Sequence, residues 1–103
     1  MRDVKITQHF NLLSEAELER LAMLIEECAE VQHVCGKILR HGYESVNPVK
    51  TDVWTNRQLL SIELGDLVAT IESMLKALDI SRRLIDDARF AREEKVKRYL
   101  HHQ

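Results

Sequence analysis

Two stretches of this chain, Ser14 to His41 and Asn56 to Leu78, return an apolar residue every three or four positions. Only an α-helix puts that spacing on one face. No segment alternates with the period of two that a strand requires. A third stretch, Arg82 to Leu100, is dense in charge but keeps helix-forming residues throughout, and the chain holds one Pro and three Gly. The expected fold is all-α: a helical bundle of three long helices plus a short N-terminal segment, in one domain over residues 1–103. A domain this small buries only about 60–65% of its unfolded surface. Its long helices therefore call for partner helices, and the bundle is expected to be completed by oligomerisation, as a homodimer or homotetramer.

Boundary signals agree with the periodicity. Ser14-Glu15-Ala16-Glu17 is a capping box, in which the Ser14 hydroxyl accepts an orphan N–H and Glu17 reaches back. Arg40 and His41 suit the negative end of that helix, and Gly42 is a natural terminator. The loop GYESVNPVKTDVWT follows, with Asn47-Pro48 as a turn signal. Val49 and Val53 suggest some extended backbone there. Thr55 or Asn56 caps the second helix. Asp79-Ile80-Ser81 breaks the chain again, and Ser81 caps the third helix. Residues 1–13 form a lead-in with a short turn around His9 to Leu13.

Composition excludes several functions. The net charge of −2 leaves no nucleic-acid footprint. No apolar run approaches the roughly 20 residues of a membrane span. MRDVKITQHF lacks the apolar core of a signal peptide, so a cytoplasmic location is expected. Cys28 and Cys35 lie about two turns apart on one helix, too far to bridge each other. The plain expectation is two small buried hydrophobes in a reducing compartment. The histidines show no zinc spacing.

The acids carry the functional signal. With Leu64 at zero on a helical wheel, Leu60, Leu67, Val68, Ile71, Leu75 and Leu78 fall within about 60°. Glu63 falls at about −100° and Asp66 at about −160°, among Met74, Leu59 and Ala77 rather than opposite the apolar arc. The first helix repeats the arrangement. With Cys28 at zero, Leu21, Leu24, Ile25, Val31, Cys35 and Leu39 cluster, and Glu27 and Glu30 fall at about −100° and −160°. Glu26 points away. If the helices pack by their apolar faces, four carboxylates converge at one edge of the seam. They would repel one another and resist desolvation. No basic residue is expected inside the arc beside them. A divalent cation resolves this, and an all-oxygen donor set selects Mg²⁺, with Mn²⁺ possible, over zinc.

The same residues resemble a known family. EECAE followed by ELGDL looks like the ExxE…ExxD signature of the all-α nucleoside triphosphate pyrophosphohydrolases, the MazG-like superfamily. The match runs Glu27-x-x-Glu30 and Glu63-x-x-Asp66, and the likeness extends over roughly residues 14–100. The resemblance implies cleavage of (d)NTP between the α and β phosphates, giving (d)NMP and pyrophosphate. It implies Mg²⁺ held by Glu27, Glu30, Glu63 and Asp66, with Glu27 and Glu63 the candidate catalytic residues that orient or deprotonate the attacking water. Basic side chains would hold the remaining phosphate oxygens. Lys37, Lys95 and Arg98 are the candidates. KVKRY resembles the family's late Lys–x–x–Asn segment, with Lys95 in the Lys place and Arg98 where Asn stands. The stretch between Glu30 and Glu63 is long for the family, and its excess lies in the Gly42–Thr55 loop. That loop is expected to cover a nucleotide, with Tyr43 and Trp54 available to stack on the base. The rival roles are a hydrophobic plug for Trp54 and an N-cap for Asn56. Relatives that act on dUTP or phosphoribosyl-ATP are not separable by sequence. The alternative from a different class is a non-catalytic helical dimerisation or adaptor module.

Overall fold

The computed structural model describes residues 10–49 and 53–102. Among these it is all-helical, with three helices and no strand: α1 (Glu15–His41), α2 (Asn56–Lys76) and α3 (Arg82–Tyr99). The chain divides into two compact units, one up to Ser73 and one from Met74 onward. The first holds α1, the loop and most of α2, and the second holds the end of α2 and α3. No helix of the described residues is long and apolar enough to cross a membrane.

The capping box forms as its sequence implies. Glu17 N–H donates to Ser14 Oγ at 3.1 Å, and Ser14 N–H donates to Glu17 Oε1 at 2.8 Å. α1 ends where Gly42 takes φ 90° and donates its N–H to Ile38 O at 2.7 Å. Of the lead-in, only the turn's last residues are described. Leu13 N–H donates to Asn11 Oδ1, and Leu12 takes the left-handed conformation between them. His9 and the residues before it lie outside the described residues.

α2 is capped twice over. Thr55 and Gln58 form a second capping box: Gln58 N–H donates to Thr55 Oγ1 at 3.2 Å, and Thr55 N–H donates to Gln58 Oε1 at 2.8 Å. The loop folds back onto the same turn. Asn56 N–H donates to Ser45 O and Arg57 N–H to Tyr43 O. Thr55 is thus the cap, and Asn56 has another task. Its side chain is buried and donates from Nδ2 to Gly42 O at 3.1 Å, tying the start of α2 to the end of α1. An isolated antiparallel bridge pairs Val46 with Thr55.

α2 stops at Lys76, two residues before the expected Leu78. Leu78 takes φ 63°, its N–H donates to Leu75 O, and Asp79 N–H donates to Met74 O. This is a Schellman closure built without glycine. A leucine here carries steric cost, so nothing in the composition advertises the stop. In the second unit, Ser81 caps α3 by accepting from Leu84 N–H at 3.2 Å, as expected.

Shielded positions on α1 recur at Arg20, Leu24, Glu27, Val31, Val34 and Ile38, and on α2 at Asn56, Leu60, Glu63, Leu67 and Thr70. Both stripes step by three and four, the spacing of a helix–helix seam. Hollows between the helices pair Glu27 with Asp66 and Val34 with Leu59, so α1 and α2 run antiparallel. The apolar arcs centred on Cys28 and Leu64 do not form this seam. Ile25 is 71% exposed, Leu39 88% and Val68 56%. Cys28 and Cys35 are exposed free thiols, which corrects the expectation that they are buried. They lie at the centre of the arc, and the seam is displaced toward the acids.

Replacing Asn56 by Ala should leave Gly42 O without its buried donor and cost about 1–3 kcal/mol. Thermal denaturation should show the midpoint falling by several degrees, whereas Asn47→Ala, in the exposed loop, should move it far less.

Candidate metal centre

Glu27 comes from the middle of α1, and Glu63 and Asp66 from the middle of α2. Because Glu27 and Glu63 occupy seam positions, the antiparallel pairing brings them face to face. One carboxylate oxygen from each of Glu27, Glu63 and Asp66 can be chosen so that all three lie within 4.8 Å of one another. Glu27 and Glu63 are half-buried and Asp66 is exposed. Glu30, half-buried one turn along α1, stands outside this trio but is close enough to Glu63 to raise its pKa. The four acids anticipated from the wheel therefore meet, as a trio with Glu30 attached through Glu63.

Their electrostatics follow from the crowding. The hydrogen bond with Glu30 is the largest influence on Glu63 and, with desolvation and the nearby Glu30, Asp66 and Glu27 charges, pushes its pKa up to about 7. Two carboxyls this close share a proton more readily than they carry two charges. Glu27 is also pushed up from the ordinary carboxylate range, first by desolvation and then by Glu30, Asp66 and Glu26. Glu27 Oε2 and Glu63 Oε2 are each shielded from water and accept no hydrogen bond among the described residues. Shielded anionic oxygens without a partner are costly. Carboxylate oxygens in this state are suited to a hard divalent cation, which would replace the shared proton.

Two hollows flank the cluster. One of about 250 Å³ is lined by Arg20, Met23, Glu27, Asp66, Ala69, Thr70 and Ser73. The other, about 440 Å³, is lined by Glu26, Ala29, Glu30, His33, Val34, Lys37, Leu59 and Glu63. Arg20 corrects the expectation that no cation stands beside the acids. It lies seven residues before Glu27 and so on the same face, a relation that the sequence contains. Lys37 lines the Glu30–Glu63 hollow, as its two-turn spacing from Glu30 implies. Trp54 stays in the loop and is 46% exposed. Tyr43 has one ring face covered by the Arg57 guanidinium at 4.3 Å, and Arg57 in turn holds Glu44 at 2.7 Å. Lys95 and Arg98 are exposed on α3 in the second unit. The structure thus gathers the four acids, Arg20 and Lys37 within the first unit.

No family model, curated protein or solved structure matches the chain.

The raised pKa of Glu63 fixes a pH dependence. The folded chain holds this proton up to about pH 7, whereas an unfolded glutamate releases it near its ordinary value of 4.5. Folding therefore binds protons in that window, and metal-free stability should fall as pH rises from about 4.5 to about 7, then level off. Glu63→Gln should flatten this slope. Calorimetry in EDTA from pH 5 to pH 8, with wild type and variant side by side, checks both statements. A wild-type midpoint that rises through this window would contradict them.

Proposed function

We propose that the chain is a Mg²⁺-dependent nucleoside triphosphate pyrophosphohydrolase, which converts (d)NTP to (d)NMP and pyrophosphate and serves the upkeep of the nucleotide pool. The observation that carries this reading is the Glu27–Glu63–Asp66 trio with its two shielded, unpartnered oxygens. The motif resemblance in EECAE and ELGDL supplies the reaction class. A cytoplasmic site of action goes with it.

In this reading Glu27, Glu63 and Asp66 hold the metal, and Glu30 completes the set through Glu63. When bound, the ion would supply charge neutralisation on the polyphosphate and lower the pKa of a water. Glu27 or Glu63 would be the residue that orients or deprotonates the attacking water. Arg20 and Lys37 line the flanking hollows and are proposed to contact phosphate oxygens. Lys95, Arg98 and the base-stacking Trp54 remain proposed substrate contacts.

A homo-oligomer belongs to the same proposal. Leu21, Ile25, Leu39, Leu64 and Val68 are all exposed on the two helices that carry the acids. Large apolar side chains in that number on a small helical pair are suited to a second copy, by the hydrophobic gain of covering them. The adaptor reading shares this feature and is separated from the enzyme by the acids. An adaptor would gain stability from Glu63→Leu and lose no function.

Incubation with a panel of NTPs and dNTPs should release pyrophosphate only when Mg²⁺ or Mn²⁺ is present, and Glu63→Gln should abolish release. Mg²⁺ should raise the unfolding midpoint of wild type but not of Glu63→Gln. Neither release nor stabilisation in folded protein would leave the adaptor reading standing. For the oligomer, sedimentation should show more than one chain per particle for wild type and a shift toward monomer for Ile25→Glu, which puts a charge in the exposed apolar patch.

A further inference from the structure

The closed end of the α1–α2 hairpin carries a hollow of opposite character. Lys37, Arg40 and His41, from the last turns of α1, share about 290 Å³ with Ser45, Asn47 and Asn56. No acid among the described residues lines it. Glu44, the acid next to Ser45 in the chain, is held by Arg57 at 2.7 Å and so does not offset these cations. Among the described residues, Lys37, Arg40 and His41 make no ion pair.

Cations at a helix C-terminus ordinarily answer the exposed carbonyls there. At this end the Ile38 carbonyl is already taken by Gly42 N–H, and the Gly42 carbonyl by Asn56 Nδ2. The first N–H groups of α2 are equally spoken for, by the carbonyls of Tyr43 and Ser45 and by Thr55. The first N–H groups of α2 therefore have little to offer an anion, and selection falls to the side chains. A lysine, an arginine and a histidine around one hollow match an anion of charge two or more. A phosphate group carries that charge and a lone carboxylate does not. Lys37 also lines the hollow that contains Glu30 and Glu63, so the two hollows adjoin. The turns that carry Glu30 and Arg40 are about 15 Å apart along α1, which keeps the two charge centres separate.

We infer that the hairpin end is a phosphate-binding subsite, formed by Lys37, Arg40 and His41, which takes a phosphate-bearing small molecule without a divalent metal. This goes beyond the pyrophosphohydrolase reading and does not depend on it.

The test is titration calorimetry of the full chain with inorganic triphosphate in EDTA. Wild type should bind saturably, and raising chloride from about 50 to about 200 mM should weaken binding severalfold. Arg40→Gln should weaken it about tenfold, with helicity by circular dichroism unchanged. Glu63→Gln should bind like wild type, which keeps this result apart from the fate of the metal proposal. Replacing the probe with ADP tells the two sources apart: tighter binding than triphosphate assigns the subsite to a nucleotide, and equal or weaker binding assigns it to free phosphates. No binding in EDTA, equal affinity in Arg40→Gln, loss of binding in Glu63→Gln, or capture of an RNA oligonucleotide but not of triphosphate would each overturn the inference.

Discussion

Carboxylates set in the seam between two antiparallel helices impose the main constraint on the N-terminal unit. A seam position normally holds a leucine or valine, whose burial draws the helices together. Here Glu27 and Glu63 take two such positions at the same level of the pair. Charged, they repel each other and lose hydration. Neutral, they must hold protons that ordinary carboxyls release well below pH 7. Either way the centre of the hairpin contributes less to folding than apolar residues would. This loss of stability at the midpoint of the seam is the feature on which the proposed metal site rests.

The rest of the unit is consistent with that deficit. Both helices begin on capping boxes, from Ser14 and from Thr55. The hairpin is closed by polar clamps at its loop end, where Asn56 reaches Gly42 O and two loop carbonyls accept the first N–H groups of α2. These bonds fix how far α2 slides along α1, and the slide decides whether Glu27 meets Glu63. A slip of one turn, about 5.4 Å, would separate the trio. The hydrogen bonds at the loop end therefore position a carboxylate cluster several turns away. Local chemistry at the helix ends acts together with the seam residues Leu24, Val31, Leu60 and Leu67 to hold the geometry.

Much of this was legible in the sequence because its signals are local. The Ser14 capping box, the glycine after His41 and the break before Ser81 act within a few residues, and the three helices follow from them. Pairs of acids at i and i+3 on both long helices marked the cluster before any packing was known. What was hidden depends on rotation about the helix axis. The wheel placed Cys28 and Leu64 at the centre of the buried face, but the apolar arc is wider than one seam can cover. Which part of it faces the neighbouring helix is settled by tertiary contacts, and these turned toward the acids. That rotation exposes both cysteines and brings Arg20 to the hollow beside Glu27 and Asp66. The end of α2 was hidden for another reason. Leucine in the left-handed conformation at position 78 goes against its own preference, and no propensity anticipates it.

The rotation also ties the cluster to assembly. Had α1 and α2 met along the centres of their apolar arcs, the acids would stand at the rim of the seam and less apolar surface would remain outside. Turning the seam toward the acids has two results at once. It desolvates the carboxylates, and it leaves Ile25, Leu39 and Val68 facing outward. An isolated hairpin would bear both costs. A second copy covering the outward arc would offset one, and a cation among the carboxylates would offset the other. Both costs arise from the same helix rotation.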